Sequence, residues 1–257
     1  MPPNFTDMWG AFAWGAVSSA GLLVGAIAGF FSRLSHHAIA MAMSVGAGLL
    51  LAAVSLKLTA DAVRMAGPLA AVGSLLLGAA VFSAANALLA RFGAAHRKRC
   101  GECTAQASES QQRGSGTAIA LGTALDAVPE ALVLGVALRQ PAFPLELLIA
   151  LTAGNLPEAV SGSAGMRIAG RSKRYIVSLW SAVAVGAAVA IGLGYVAFGL
   201  LEQPWPARLQ AFGAGALLAT TAETMIPEAF HNSPRFSGFL AAIGFCVLLV
   251  VAALTHS

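Results

Sequence analysis

A chain of 257 residues that is 58% hydrophobic and only 10% charged lies far from the roughly 45–50% apolar and ~25% charged composition of soluble domains, and its mean hydropathy is +0.77. This excludes a soluble globular class and indicates an integral membrane protein. A net charge of +4 would suggest nucleic acid in a soluble chain, but here the basic residues fall in short loops between apolar runs, where they report orientation.

Apolar runs of about 20 residues, the length a helix needs to cross ~30 Å of hydrocarbon, fall at 9–31, 38–58, 67–90, 117–138, 145–166, 174–201, 207–230 and 236–255. The fold class expected is all-α, a polytopic membrane protein of eight transmembrane helices forming one domain over 1–257. Helices are preferred to barrel strands because the runs are continuous and rich in Gly and Ala, without alternation. The first run lacks a basic leader and a small-residue cleavage site, so Trp9 to Phe31 reads as a retained span. Counting Lys and Arg in alternate loops gives eleven on one side and three on the other, which places both termini outside the cytoplasm of a cell inner membrane. The polar segment 93–116 is then a cytoplasmic linker.

In chain order, Gly21, Gly25 and Gly29 make a small-residue stripe on the first span, suited to close helix packing. His36 and His37 read as solvated. At the outer end of the second span, Lys57, Asp61 and Arg64 read as a local ion pair, with metal entry as the rival role. The linker carries His96, Cys100, Glu102 and Cys103. Three soft ligands are one short of a zinc site, so reduced thiols on a flexible loop are the plainer reading, and Cys246 sits in an apolar run with no disulfide framework implied.

The fourth and fifth spans hold the chemistry. Thr123-Ala-Leu-Asp126-Ala-Val-Pro129-Glu130-Ala is echoed by Thr152-Ala-Gly-Asn155-Leu-Pro157-Glu158-Ala. Asp126 and Glu130 are i and i+4, Asn155 and Glu158 i and i+3, so each pair shares a helical face. Pro129 and Pro157 free the carbonyls of Leu125 and Ala153. At 1.5 Å per residue, Asp126 and Asn155 lie about 14–15 Å from their span ends, near the midplane. A carboxylate there costs roughly 2.5–3.5 kcal/mol on insertion scales, and no Lys, Arg or His is expected at that depth in any span. An oxygen-rich cage for a divalent cation follows; the plainer alternative is a kinked helix with protonated or base-paired acids. Gly186, Gly192 and Gly194 punctuate the sixth span. The seventh adds Glu223, Glu228 and His231, a release or relay site set against an interfacial Glu–His pair.

Two internal repeats accompany these motifs. Residues from Gly46 to Ala62 match those from Gly213 to Ala229 at a constant offset of 167, and the fourth and fifth spans share Pro-Glu-Ala at an offset of 28. Both pairs are expected to be antiparallel, and inverted repeats around interrupted helices are a transporter pattern.

On the residues Asp126-Ala-Val-Pro-Glu130-Ala, Gly154-Asn155-Leu-Pro-Glu158-Ala and Met225-Ile-Pro-Glu228-Ala, the chain resembles the ZIP (Zrt/Irt-like) family of divalent metal transporters over nearly its full length. The resemblance implies eight spans, both termini outside, a variable cytoplasmic loop after the third span, and a first metal site involving Asp126, Glu130 and Glu158 with Asn155 in an adjacent second one. The family commonly has His where Asp126 stands, Asn for Ala127, and His or Gln for Gly154. Homodimers occur in the family.

The function expected is transport of a divalent transition metal, zinc first with manganese or iron as alternatives, into the cytoplasm by alternating access. The partners are the metal ion and the lipid bilayer, with no nucleic acid and no prosthetic group. The metal residues expected are Asp126, Glu130, Asn155, Glu158, Glu223, Glu228 and His231. A non-transporting membrane metal sensor is the alternative. An enzyme is not expected, the nearest option being an intramembrane aspartyl protease.

Overall fold

The computed structural model of the chain describes every residue except 1–4, 32–34, 95, 96, 98–105, 107, 109, 112–114, 142, 233, 234, 256 and 257. The loop residues His96, Cys100, Glu102 and Cys103 and the side chain of His36 therefore lie outside the described residues. Those described form α1 (Phe5–Phe31), α2 (His36–Ala52), π1 (Ala53–Leu58), α3 (Thr59–Ala66), α4 (Pro68–Leu89), π2 (Ala90–Ala94), α5 (Ser115–Ala137), α6 (Leu145–Ile168), α7 (Lys173–Phe198), α8 (Trp205–Thr220), π3 (Thr221–Met225), α9 (Ile226–Asn232) and α10 (Ser237–Thr255), with no strand among them. Each π segment continues an α-helix, so the elements join into eight rods. The chain is all-helical.

Among the described residues, six helices are long and apolar enough to cross a membrane: Asp7–Phe31, His37–Ala66, Pro68–Ala94, Ser115–Ala137, Lys173–Phe198 and Ser237–Thr255. The other two rods, α6 and α8–π3–α9, carry ionisable residues at both ends and in the middle. The second rod runs to Ala66, eight residues past the expected end at 58. A π turn at 53–58 carries it through the polar Lys57, and Gly67 at φ 82 followed by Pro68 at the first helical position then breaks it from α4. Ser35 and Ser172 cap α2 and α7, each hydroxyl accepting from a backbone amide at 3.2 Å.

Small residues set the packing. Added Cβ atoms at Gly21, Gly25 and Gly29 would strike the carbonyls of Thr152, Leu156 and Val160. One α1 stripe therefore lies on the backbone of α6, as expected of it. Gly192 is covered by the Phe12 ring, whereas Gly186 meets nothing within 4 Å and faces a groove of about 380 Å³ between α5 and α7. Across α2 and α10, Gly48 lies on the carbonyl of Ala241 and Gly244 on that of Val45; across α8 and α4, Gly215 lies on Leu75 and Gly78 on Phe212. The core is built where α2, π1, α5, α6, α8 and π3 meet, with Met43, Leu50, Leu58, Leu134, Leu151, Leu217 and Met225 all buried.

One end of the bundle gathers the last residues of α1 and α6 and the first of α5 and α7. There Arg167 donates to Phe30 O at 2.9 Å, Arg171 to Ser115 Oγ at 2.7 Å, and Lys173 lies 4.6 Å from the Phe31 ring. At the opposite end Arg139 stacks on Tyr195 at 4.8 Å and Gln140 donates to Gln210 at 2.9 Å.

Candidate cation site

The helices expected to be interrupted are continuous, with Pro129 inside α5 and Pro157 inside α6. They present Asp126, Glu130, Asn155 and Glu158 to the interior, where all four are buried. Gly46 of α2 lies against Gly154 and Pro157 of α6 and Met225 of π3, at 3.4–3.5 Å from a Cβ position, and Gly213 of α8 lies 3.6 Å by the same measure from the carbonyl of Pro129. The polar turns of α5 and α6 are thus each crossed by a glycine of a neighbouring rod. Asn155 is committed in part, since its amide donates to Ser18 O of α1 at 3.3 Å.

A base does reach this depth, contrary to the expectation from the spans alone, and it comes from the linker. Arg97 donates from Nε to Asp126 Oδ2 at 2.9 Å and from its second terminal nitrogen to Oδ1 at 2.7 Å. This is the bidentate fork that a planar guanidinium makes with a carboxylate. Arg97 is 3% exposed and Asp126 2%. The other terminal nitrogen donates to Asn86 Oδ1 at 2.7 Å and Ala94 O at 3.3 Å. Burial works against the Arg97 charge, but Asp126, and behind it Glu158 and Glu223, hold the guanidinium above its ordinary value. Within the segment 93–116, Ala94, Arg97 and Gln106 are buried, whereas Ser110 and Gln111 are exposed. Gln106 donates to Arg97 O at 2.6 Å and to Gly162 O of α6 at 3.1 Å, fastening the turn inside the bundle.

The network continues to the seventh rod. Asn86 Nδ2 donates to Glu223 Oε2 at 2.7 Å, and Ser83 Oγ donates to Glu223 Oε1. Asp126, Arg97, Asn86 and Glu223 therefore form one chain of hydrogen bonds across α5, the linker, α4 and π3. Glu223 is more exposed than the other mid-rod acids. Glu228 is buried and receives a hydrogen bond from Ser161 Oγ at 3.4 Å, whereas His231 is exposed; the two differ in environment although they are i and i+3. Among the described residues, no three His, Cys, Asp or Glu side chains converge closely enough to hold a metal ion. Asp126, the expected first ligand, has both oxygens turned to Arg97.

A second charged cluster lies at the far end. Lys57 on π1 sits 3.2 Å from Asp61 and 3.6 Å from Glu146, and Arg64 sits 2.8 Å from Asp61. The local pair expected for Lys57, Asp61 and Arg64 is present, with buried Glu146 added from α6. Gln210 of α8 donates to Leu58 O at 3.3 Å beside it, within the same π turn.

Sequence reasoning missed Arg97, Asn86, Ser83, Gln106 and Glu146. Ser83 and Asn86 carried a signal, being polar residues one turn apart in an otherwise apolar span. Arg97 carried none, since a loop arginine reads as solvated until its docking is seen. No family model matches the sequence, and no curated protein matches it.

Proposed function

We propose that this chain is a multi-pass transporter that carries a divalent transition-metal cation, zinc first and manganese or iron as alternatives, through an inner membrane toward the cytoplasm. The observation that carries the reading is the burial of Asp126, Glu130 and Glu158 on two proline-containing helices, with Asp126 already satisfied by a cation, Arg97. Carboxylates at this depth need positive charge beside them. A metal ion supplies it when Arg97 does not, with Asp126, Glu130 and Glu158 as ligands, Asn155 adjoining, and Glu223, Glu228 and His231 along the way out.

Architecture supports movement. The reading has eight spans with both termini outside, built as an inverted repeat relating α2–π1–α3 to α8–π3–α9. In its favour, π turns occur at 53–58 and 221–225, close to the 167-residue offset. Gly48 and Gly215, at that offset, both lie on a carbonyl of the neighbouring rod, as do Gly78 and Gly244, while Gly46 and Gly213 each cross a proline turn of α6 or α5. Such pairs of like halves can rock around a site between them. The likeness of the Pro-Glu motifs to the ZIP family points the same way.

The test is uptake of Zn²⁺, Mn²⁺ and Fe²⁺ into proteoliposomes by the wild type and by Glu130→Ala and Glu158→Ala. Saturable flux that both substitutions abolish is the expected result; full flux in a folded Glu130→Ala protein overturns it. A sensor that binds metal without moving it is the second reading, favoured by the closed grip of Arg97 on Asp126, and binding without flux in the wild type selects it.

A further inference from the structure

Arg97 is a cation delivered to the carboxylate site on a tether. It is attached four residues after Gly93, whose φ of 100 turns the chain at the end of α4–π2 back toward the bundle. Its guanidinium is stripped of water, forked onto Asp126, and backed by Asn86. The aliphatic stem lies where Gly122 leaves room: a Cβ there would stand 2.6 Å from Arg97 Cδ. Gln106 then pins the Arg97 carbonyl to Gly162 of α6. Arg97 and Gln106, the described residues here, both direct their side-chain donors inward, to α4, α5 and α6.

Both Asp126 oxygens accept from the guanidinium, so a metal ion ligated there stands beside a second positive charge and is repelled by it. A tethered group competes at an effective concentration of roughly millimolar, so the docked arginine holds Asp126 until its own hydrogen bonds break. We propose that Arg97 is a built-in competitor for the transported cation: it occupies Asp126 in place of the ion, plugs this mouth of the path, and must leave before the ion can bind or pass. The inference rests on the transport reading for the identity of the competing ion, but the plug itself is testable without any metal.

Thr123 reports the plug. It lies one turn from Asp126 on the same face of α5, is buried, and donates to Ile119 O at 2.9 Å. In a background with Cys100, Cys103 and Cys246 changed to Ser, Thr123→Cys is placed in lipid nanodiscs and its reaction with a membrane-impermeant methanethiosulfonate is timed. With Arg97 present the reaction is slow; with Arg97→Gln it accelerates at least tenfold, and with Arg97→Lys, which keeps the charge but not the fork, by less. Because Arg97→Gln leaves Asp126 buried without its partner, Arg97→Gln/Asp126→Asn is measured alongside, keeps its fold, and shows the same acceleration. Equal labelling rates in the wild type and the double variant overturn the proposal.

Zn²⁺ uptake into proteoliposomes supplies the competition arm. Arg97→Gln lowers KM at least tenfold with Asp126 intact; a KM unchanged or raised while Thr123→Cys becomes accessible overturns competition. Accelerated labelling with no flux of Zn²⁺, Mn²⁺ or Fe²⁺ in any variant upholds the plug and overturns the transport reading instead.

Discussion

Lys57 on π1 reaches across to Glu146 in the first turn of α6 at 3.6 Å while holding Asp61 of its own rod at 3.2 Å. One ammonium thus serves two buried carboxylates from different rods. Removing one member of a buried charged group strands the others at about 3–5 kcal/mol. Lys57→Met is expected to lose that much stability, read as a lower unfolding midpoint in detergent. Arg64, whose side chain is 75% exposed, contributes at most about 1 kcal/mol, and Arg64→Ala should leave the midpoint nearly unchanged.

The Arg97–Asp126 pair predicts non-additivity. Arg97→Gln and Asp126→Asn each leave a buried group without its partner and should each cost about 3–5 kcal/mol. Together they should cost less than the sum by at least ~2 kcal/mol. A double-mutant cycle on thermal or denaturant unfolding measures this, and additive losses would show that the pair is not coupled.

Close packing of α1 on α6 predicts a contrast between two glycines. Gly25→Ala drives a methyl into the Leu156 carbonyl and should destabilise by about 1–3 kcal/mol. Gly73→Ala, with nothing within 4 Å, should be neutral or gain up to ~1 kcal/mol from helix propensity. Folded yield and unfolding midpoint report both.

The proposed repeat, which pairs Gly48 with Gly215, predicts matched effects. Each presses on a carbonyl of the next rod, Ala241 or Leu75, so Gly48→Ala and Gly215→Ala should destabilise to within about 1 kcal/mol of each other. A large disparity would show that the two halves are not mechanically alike.

Much of the fold was legible because bilayer thickness sets the length of an apolar run. Six of the eight expected runs fall on helices long and apolar enough to cross a membrane, and the spacing of Gly21, Gly25 and Gly29 matches the spacing of the carbonyls they meet on α6. The end of the second rod was not legible: a π turn lets Lys57 face Asp61 and Glu146 inside an apolar helix, and no periodicity rule signals a turn that tertiary ion pairing sustains.

The sequence by itself determined that the chain is a helical membrane protein and which acids lie deep in it, because hydrophobic length and helical spacing are local properties. It placed Asp126 and Glu130 on one face and Asn155 and Glu158 on another, and all four are buried. What holds Asp126 was decided only by tertiary structure. Arg97 lies 29 residues away across a polar segment, and whether a long cationic side chain stays in water or folds back onto a buried carboxylate depends on the shape of the cavity that receives it. Here Gly122 opens the room, Asn86 and Ala94 accept from the remaining terminal nitrogen of Arg97, and Gln106 donates to its carbonyl, offsetting a desolvation cost that local sequence cannot reveal.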